Sequence, residues 1–161
     1  MVAVESATPG DAAAVADLWV ALAAGQRRYG SHLRGEASRR AAEEALARAA
    51  ADGRLDVARD ADDVVGFVRY GVERGALAQD VTRGVVRDLY VVAERRGEGV
   101  GSSLLDAAEA SLRNRGADVV AVEAMADNED AIRLYERRGY RPHRIEFERE
   151  VENDKRYRGD R

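Results

Sequence analysis

Residues 95–105 read RRGEGVGSSLL, a stretch of bare backbone and positive charge that opens into an apolar helical stripe. Three glycines, Gly97, Gly99 and Gly101, lie within it at every second position. The first N–H groups of a helix have no partner inside the helix and lie at the positive end of its dipole. Glycines let an anion approach such N–H groups with no Cβ in the way. The stretch therefore predicts a phosphate-binding turn at a helix N-terminus.

Three ligand-binding motifs compete for this stretch. A mononucleotide P-loop requires a lysine after its last glycine, and the only lysine of the chain is the distant Lys155. A dinucleotide fingerprint requires G-x-G-x-x-G, but Ser102 stands where the third glycine belongs. The third pattern, R-x-x-G-x-G, is met by Arg96, Gly99 and Gly101. A glycine-rich turn without a ligand stays open as well, because glycine clusters are common in loops.

Length and composition indicate one ordinary globular domain. The chain has 161 residues and a net charge of -4, which argues against a general nucleic-acid binder. The absence of cysteine excludes disulfides and thiolate metal sites, and the two histidines, His32 and His143, are too far apart to suggest a metal site. We find neither a secretory signal nor an apolar run of about 18 to 20 residues, so we expect a cytoplasmic protein without a membrane span. The predicted domain covers residues 1–152, and residues 153–161 form a charged tail.

Hydrophobic periodicity predicts the element order β-α-α-β-β-β-α-β-α-β, an α/β arrangement of a mixed sheet with helices packed on it. Thr8, Pro9 and Asp11 have the spacing of a capping box with a proline at the first helical position. Trp19, in the alanine-rich first helix, is expected in the core. The last element is the strand RIEFEREV at residues 144–151, in which apolar and charged residues alternate.

Two segments of the chain resemble the GNAT superfamily of acetyl-CoA-dependent N-acetyltransferases. Residues 88–105, DLYVVAERRGEGVGSSLL, look like the strand, pyrophosphate loop and helix of that family. Residues 122–140, VEAMADNEDAIRLYERRGY, look like its second signature, N-x-x-A-x-x-L-Y-E-x-x-G-[FY]. The strong part of the resemblance covers residues 84–142. It implies a central mixed sheet of six to seven strands flanked by about four helices.

The resemblance also implies a set of cofactor-binding residues. Leu89, Tyr90 and Val91 match the strand edge that bonds the pantetheine amides, and Asn128 matches a cofactor contact of the second signature. Tyr135 matches the tyrosine that lies near the thioester sulfur and protonates the leaving thiolate, a role suited to a phenol. A core aromatic remains the alternative for Tyr135. The pyrophosphate would be wrapped by the loop residues Arg96, Gly97, Glu98, Gly99, Val100, Gly101 and Ser102.

Two carboxylates are candidates for the base that takes a proton from the attacking amine. Glu123 lies inside the apolar run VVAVEAM, where burial would favour its neutral form. It also matches a glutamate that serves as base in ribosomal-protein N-terminal acetyltransferases. Asp88 is the rival, from the strand that carries Leu89. Either carboxylate could instead pair with Arg87 or another arginine.

The resemblance implies an N-acetyltransferase that moves an acetyl group from acetyl-CoA to a primary amine by direct attack in a ternary complex. No cysteine is available for a thioacyl-enzyme, and no metal is implied. The acceptor is a peptide amino group or a small-molecule amine. The loop that carries His32 would shape the acceptor pocket, although a solvated histidine is the simpler interpretation. The non-enzymatic alternative is a CoA-binding regulatory module. Homodimers are frequent in the superfamily, which makes a second copy a candidate partner.

Overall fold

The structure is a computed structural model that describes residues 1–151, so the charged tail predicted at 153–161 lies outside the described residues. Its sheet has the strands β1 (Val2–Ser6), β2 (Leu55–Asp60), β3 (Asp63–Val72), β4 (Arg83–Val91) and β5 (Val119–Val122). Its helices are α1 (Ala12–Arg27), α2 (Arg39–Ala51), α3 (Val100–Asn114) and α4 (Glu129–Arg137). No helix within residues 1–151 has both the length and the apolar character that crossing a bilayer requires.

The strands lie in chain order across one mixed sheet, β1-β2-β3-β4-β5. The first four are antiparallel neighbours, whereas β4 and β5 run parallel. The parallel pair follows from α3, because parallel neighbours need a long crossover connection between them. The predicted α/β class and the predicted order of the first nine helices and strands are confirmed.

The core consists of two apolar layers, one on each face of the sheet. On one face, Val15 of α1 and Leu46 of α2 pack with Leu55 and Phe67 of the sheet. On the other face, the α3 leucines Leu104, Leu105 and Leu112 pack with Val68 and Val86 of the sheet. The central strands contribute side chains to both layers, because successive residues of a strand point to opposite faces of the sheet.

The predicted helix boundaries are confirmed by their local geometry. The Thr8 N–H donates to Asp11 Oδ2 at 2.9 Å, one half of a capping box on the 3-10 turn Pro9–Asp11 that leads into α1. Gly116 and Gly139 follow α3 and α4 with a φ of +90° each, a left-handed conformation that glycine adopts without steric cost. These two glycines therefore account for where α3 and α4 end.

The prediction of a last strand at residues 144–151 is wrong. Residues 141–151 form neither a helix nor a strand, and all of them are exposed, so the sheet in residues 1–151 has five strands instead of the six to seven expected. The alternation of apolar and charged residues in 144–151 indicates only which side chains would share one face of a strand. It does not supply the second strand with which the backbone must pair, and no strand of this chain pairs with that segment within the described residues.

Candidate active site

A gap between β4 and β5 forms the centre of the candidate site. The parallel pairing joins Arg83–Val86 with Val119–Val122 and ends at the pair Val86 and Val122. β4 continues to Val91, paired on its other side with β3. The backbone edge of β4 that faces β5 therefore has no strand partner over residues 87–91, a stretch that includes the predicted Leu89, Tyr90 and Val91.

A β-bulge at Arg87 coincides with the start of this gap. Asp88 pairs with Arg69 of β3, but the next pair is Val86 with Tyr70, so Arg87 has no opposite residue. A bulge bends its strand and increases the local twist. Because the bend occurs where β5 ends, β4 and β5 separate and leave the β4 edge accessible.

The loop after β4 leads into α3 with an open backbone surface. Gly97 and Gly99 have φ angles of +80° and +83°, and a Cβ added to either would meet nothing within 4 Å. The Ser103 N–H donates to the Gly99 carbonyl at 3.0 Å, which is the first bond of the helical pattern. The N–H groups of Val100, Gly101 and Ser102 come before that bond and have no carbonyl partner within the helix. The loop thus has the bare backbone and the helix N-terminus that an anion needs.

Gly101 has a different role from the other two loop glycines. A Cβ on Gly101 would lie 3.8 Å from Val91 Cγ2 and 3.9 Å from Leu134 Cδ2. It points towards the packing between the end of β4 and α4, and not into open space. The space beside Gly101 therefore differs from the open space beside Gly97 and Gly99, and the backbone N–H of Gly101 lies in the first turn of α3.

The arginines of the loop are engaged within the chain. Arg96 Nε donates to the Val91 carbonyl at 3.0 Å, and its guanidinium carbon lies 5.4 Å from the centre of the Tyr90 ring. Arg95 forms an ion pair with Asp60 and lies 3.9 Å from a carboxylate oxygen of Glu98. These contacts fix the loop to the ends of β4 and β2, and they reduce the positive charge that the loop presents to solvent.

Tyr135 lies on α4, on the same face of the sheet as Leu89 and Val91, and the three pack against one apolar cluster. Its ring meets that of Tyr140 edge-to-face, with 5.9 Å between the centroids. Burial raises the pKa of the Tyr135 phenol above its usual value. The phenol is therefore a protonated group at neutral pH, on the face of the sheet that carries Leu89 and Val91.

Asn128 is the N-cap of α4. Its Oδ1 accepts the backbone N–H of Ala131 at 3.2 Å, and the side chain is half-buried. This bond stabilises the start of the helix by satisfying one of its free donors. The signature asparagine thus has a structural role in addition to the predicted cofactor contact, for which its amide NH₂ group is the chemically suited part.

Asp88 and Arg69 form an ion pair on the α1 and α2 side of the sheet. Arg69 Nε lies 2.7 Å from Asp88 Oδ2, and both side chains are mostly buried. Pairing with an arginine was one of the expected alternatives for Asp88, but the partner is Arg69 of the neighbouring strand, while Arg87 is exposed at the bulge. Asp88 thus lies within the open stretch of β4, with its side chain on the face of the sheet away from α3.

The expected burial of Glu123 is wrong. Glu123 is exposed and follows directly after the last residue of β5, Val122. The apolar run around it does not exclude water because β5 is a four-residue strand at the edge of the sheet, where Val119 is itself 42% exposed. Glu123 lies at the mouth of the gap, directly after β5, whereas Asp88 lies on β4.

An apolar cavity of about 230 Å³ lies between α1 and α2. Arg69 borders it and links it to Asp88, so the cavity adjoins the open stretch of β4. Trp19, expected as a core residue, is partly buried and lines this cavity. No sequence pattern indicated the role of Arg69, because its position on β3 resembles that of any other strand residue. The lining residues are Trp19, Leu33, Ser38, Ala41, Ala42, Ala45, Leu46 and Arg69.

His32 is exposed in the loop between α1 and α2, next to the cavity residue Leu33. Its Nε2 lies 2.8 Å from Glu148 Oε1, so the loop contacts the segment that follows α4. In the part of the chain that the structure describes, no three acidic, histidine or cysteine side chains cluster in a way that could hold a metal ion.

Comparisons with known proteins agree with this geometry. The model of the acetyltransferase (GNAT) family matches residues 19–140. N-alpha-acetyltransferase 30 of Schizosaccharomyces pombe is 37% identical over 86 residues, which are 52% of this chain and 55% of that protein. The chain thus spans about half the length of the curated relative that it matches.

Two solved structures share the fold. A GCN5-related N-acetyltransferase from Ralstonia eutropha has a TM-score of 0.74 and 23% identity, with 94% of this chain and 99% of that chain covered. AAC(6')-Iy, solved with the bisubstrate analogue CoA-S-monomethyl-acetylneamine, has a TM-score of 0.68 and 15% identity, with 94% and 99% covered.

The matched region contains the gap between the strands, the glycine loop and the whole second signature, and it covers well over half of the chain. The chain belongs to the GNAT family of acetyltransferases. Members of that family use acetyl-CoA as their co-substrate.

Proposed function

We propose that this protein transfers the acetyl group of acetyl-CoA directly to the α-amine of a peptide whose first side chain is apolar. The observation that carries the proposal is the separation of β4 from β5 beside the N-terminus of α3. It gives one open strand edge with an anion-binding helix start at its end and an apolar cavity on the other face of the sheet. Two reactants could reach the same gap from opposite faces.

The cofactor side of this proposal rests on backbone groups. The β4 edge at Leu89 to Val91 offers amide donors and acceptors to the amides of pantetheine. The N–H groups at the start of α3, with the open space beside Gly97 and Gly99, suit a pyrophosphate. Bound there, acetyl-CoA would supply an activated acetyl group as a thioester. The amide NH₂ of Asn128 is a further donor towards it.

The chemistry needs one proton donor and one proton acceptor. Attack by the amine forms the new C–N bond, the C–S bond breaks, and the departing thiolate takes a proton. Tyr135 is the proposed donor, since its buried phenol stays protonated. Asp88 is the proposed acceptor of the amine proton, because its carboxylate lies 2.7 Å from the Arg69 guanidinium, which borders the cavity. Glu123, at the mouth of the gap, is the alternative base.

The proposed acceptor follows from the cavity beside Asp88. Its walls are the indole of Trp19, Leu33, Leu46 and small alanines of α2, with the Arg69 guanidinium at one edge. Such a cavity favours an apolar side chain next to the amine and disfavours a polycationic small molecule. The relative named N-alpha-acetyltransferase 30 supports a peptide acceptor. A cytoplasmic location and a second copy of this chain as partner complete the proposal.

We first predict the effect of Gly99→Ala on CoA binding, with Gly116→Ala as control. Both glycines have a left-handed φ and open space around the missing Cβ, at the two ends of α3. Each substitution should lower the free energy of unfolding by about 1–2 kcal/mol, measured with urea. Only Gly99→Ala should weaken CoA binding, by about tenfold in calorimetry, which corresponds to about 1.4 kcal/mol. Equal CoA affinities in the two variants would contradict the loop assignment.

The second prediction concerns Tyr135→Phe, with Tyr140→Phe as its matched control. Loss of a general acid should reduce kcat about 10² to 10⁴-fold and leave the KM for acetyl-CoA nearly unchanged. Tyr140→Phe removes a neighbouring hydroxyl that donates to Glu109 at 2.8 Å, and it should keep its turnover. Since burial raises the pKa of Tyr135, the donor should be lost only above about pH 10. Similar kcat values for both variants would instead support the interpretation of Tyr135 as a core aromatic residue.

The third prediction separates the two carboxylates by the pH dependence of kcat/KM. A base must be ionised to accept a proton, so activity should rise with pH along the acidic limb. Asp88→Asn should abolish that limb and lower kcat by at least about 10²-fold, whereas Glu123→Gln should retain it. The reverse result would assign the base to Glu123. A limb that survives in both variants would leave neither carboxylate as the base.

A fourth prediction tests the acceptor by measuring CoA release with peptides that begin with leucine or glycine. The leucine peptide should be preferred by about tenfold or more in kcat/KM, because its side chain fills the cavity. Ala45→Phe, which fills the cavity from α2, should remove the preference and spare the glycine peptide. Ala110→Phe, at an exposed position of α3, should change neither. CoA binding without release for any acceptor would instead support the regulatory module.

A further inference from the structure

The glycine loop between β4 and α3 is held at both of its ends by regular structure. The Val92 N–H donates to the Val65 carbonyl at 2.9 Å, which continues the pairing of β4 with β3 by one residue. At its other end, the loop passes into α3 at Val100. Gly97 and Gly99 lie between these two points, and glycine has the widest range of accessible backbone conformations. The conformation that a pyrophosphate would meet therefore depends on contacts in the middle of the loop.

Arg95 is the loop residue that reaches across the sheet. It ends the 3-10 turn Ala93–Arg95, shortly before the glycines, and its guanidinium forms an ion pair with Asp60 at the end of β2. Because β3 lies between β2 and β4, this pair connects the loop to a strand that β4 does not touch. Arg96, by comparison, bonds to the Val91 carbonyl of the strand that precedes the loop. Arg95 therefore makes the long-range attachment of the loop.

The Asp60 carboxylate is suited to be a fixed anchor for Arg95. Asp60 pairs with Asp63 across a two-residue turn, in which Ala61 has a left-handed φ of +52°. The side chains of Asp60 and Arg95 are 24% and 35% exposed, and opposite charges attract more strongly where water is partly excluded. The second carboxylate oxygen of Asp60, Oδ1, lies 3.5 Å from the Met1 ammonium. Cations thus hold this carboxylate from two sides.

Asp60 is unsuited to bind a phosphate directly, because like charges repel each other. Its ion pair also occupies a guanidinium that could otherwise bind phosphate oxygens. An effect of Asp60 on CoA binding must therefore pass through Arg95 and the backbone of the loop.

We propose that Asp60 is a positioning residue for the cofactor, which acts through Arg95 to fix the glycine loop in the conformation that binds the pyrophosphate of CoA. This role rests on the pyrophosphate-binding loop of the proposed function. Affinity for the pyrophosphate then depends on a carboxylate two strands away. Affinity for the pantetheine part, which the edge of β4 would bind, does not depend on it.

Asp60→Asn tests this role, with Asp62→Asn as its matched control. Both substitutions remove one negative charge from the same turn, but Asp62 is exposed and is not the partner of Arg95. Asp60→Asn should weaken CoA binding by about threefold to tenfold in calorimetry, as expected for coupled groups of one salt-bridge network. Pantetheine, which lacks the pyrophosphate, should bind equally to both variants in an NMR titration.

Two results of this comparison would overturn the role of Asp60. One is a CoA affinity in Asp60→Asn that equals or exceeds that of Asp62→Asn. The other is an equal loss of affinity for CoA and for pantetheine, which would indicate a general disturbance of the fold. Urea unfolding of each variant identifies a temperature at which all of them are folded, and the affinities are compared there.

A double-variant cycle distinguishes positioning through Arg95 from a direct contact between Arg95 and the phosphates. Arg95→Gln should weaken CoA binding as much as Asp60→Asn does, and the double variant should lose no more than either single variant. Additive losses, or a much larger loss in Arg95→Gln, would overturn the proposal in favour of a direct contact.

Gly99→Ala separates a failure of this proposal from a failure of the loop assignment. Weakened CoA binding in Gly99→Ala, with none in Asp60→Asn, would refute the role of Asp60 and leave the loop as the pyrophosphate site. Unchanged CoA binding in both variants would refute the loop assignment as well.

Discussion

The bulge at Arg87 is the constraint on which the site depends. A regular β4 would continue its ladder with β3 without a break and would offer β5 a straight edge to follow. The extra residue bends β4 at the position where the parallel pairing ends, at Val86 and Val122. Backbone groups that would otherwise bond within the sheet are then free for a ligand. Unpaired backbone groups cost free energy, and hydrogen bonds to a ligand offset that cost.

One strand can serve two reactants because its side chains alternate. Leu89 and Val91 face the layer with α3 and α4, where Tyr135 lies, whereas Asp88 and Tyr90 face the layer with α1 and α2. The backbone edge between them is accessible from both layers at the gap. Tyr135, the proposed proton donor to the thiolate, and Asp88, the proposed base for the amine, therefore lie on opposite faces of the sheet. This division suits direct transfer in a ternary complex.

The positive charge of the glycine loop contributes less to the attraction of an anion than its two arginines suggest. Arg95 is paired with Asp60, and Arg96 lies over the Tyr90 ring with its Nε on the Val91 carbonyl. Arg96 holds the loop against the end of β4, and Arg95 holds it against the end of β2. Attraction for an anion then comes mainly from the backbone at the start of α3, whose orientation is set by the left-handed conformations of Gly97 and Gly99. The proposed recognition of the cofactor therefore rests on the backbone of the loop, which the two arginine side chains hold in place.

Local patterns in the sequence determined most of the elements and the location of the loop. The capping box at Thr8, the glycines that end α3 and α4, and the apolar stripes act over a few residues, so the sequence contains all the information they need. Tertiary structure decided what depends on distant partners. It paired Asp88 with Arg69, exposed Glu123 at a short edge strand, turned Gly101 towards Leu134 and placed Trp19 at a cavity. It also left residues 144–151 unpaired, because alternation specifies a face of a strand, whereas a strand forms only when another backbone supplies its hydrogen bonds.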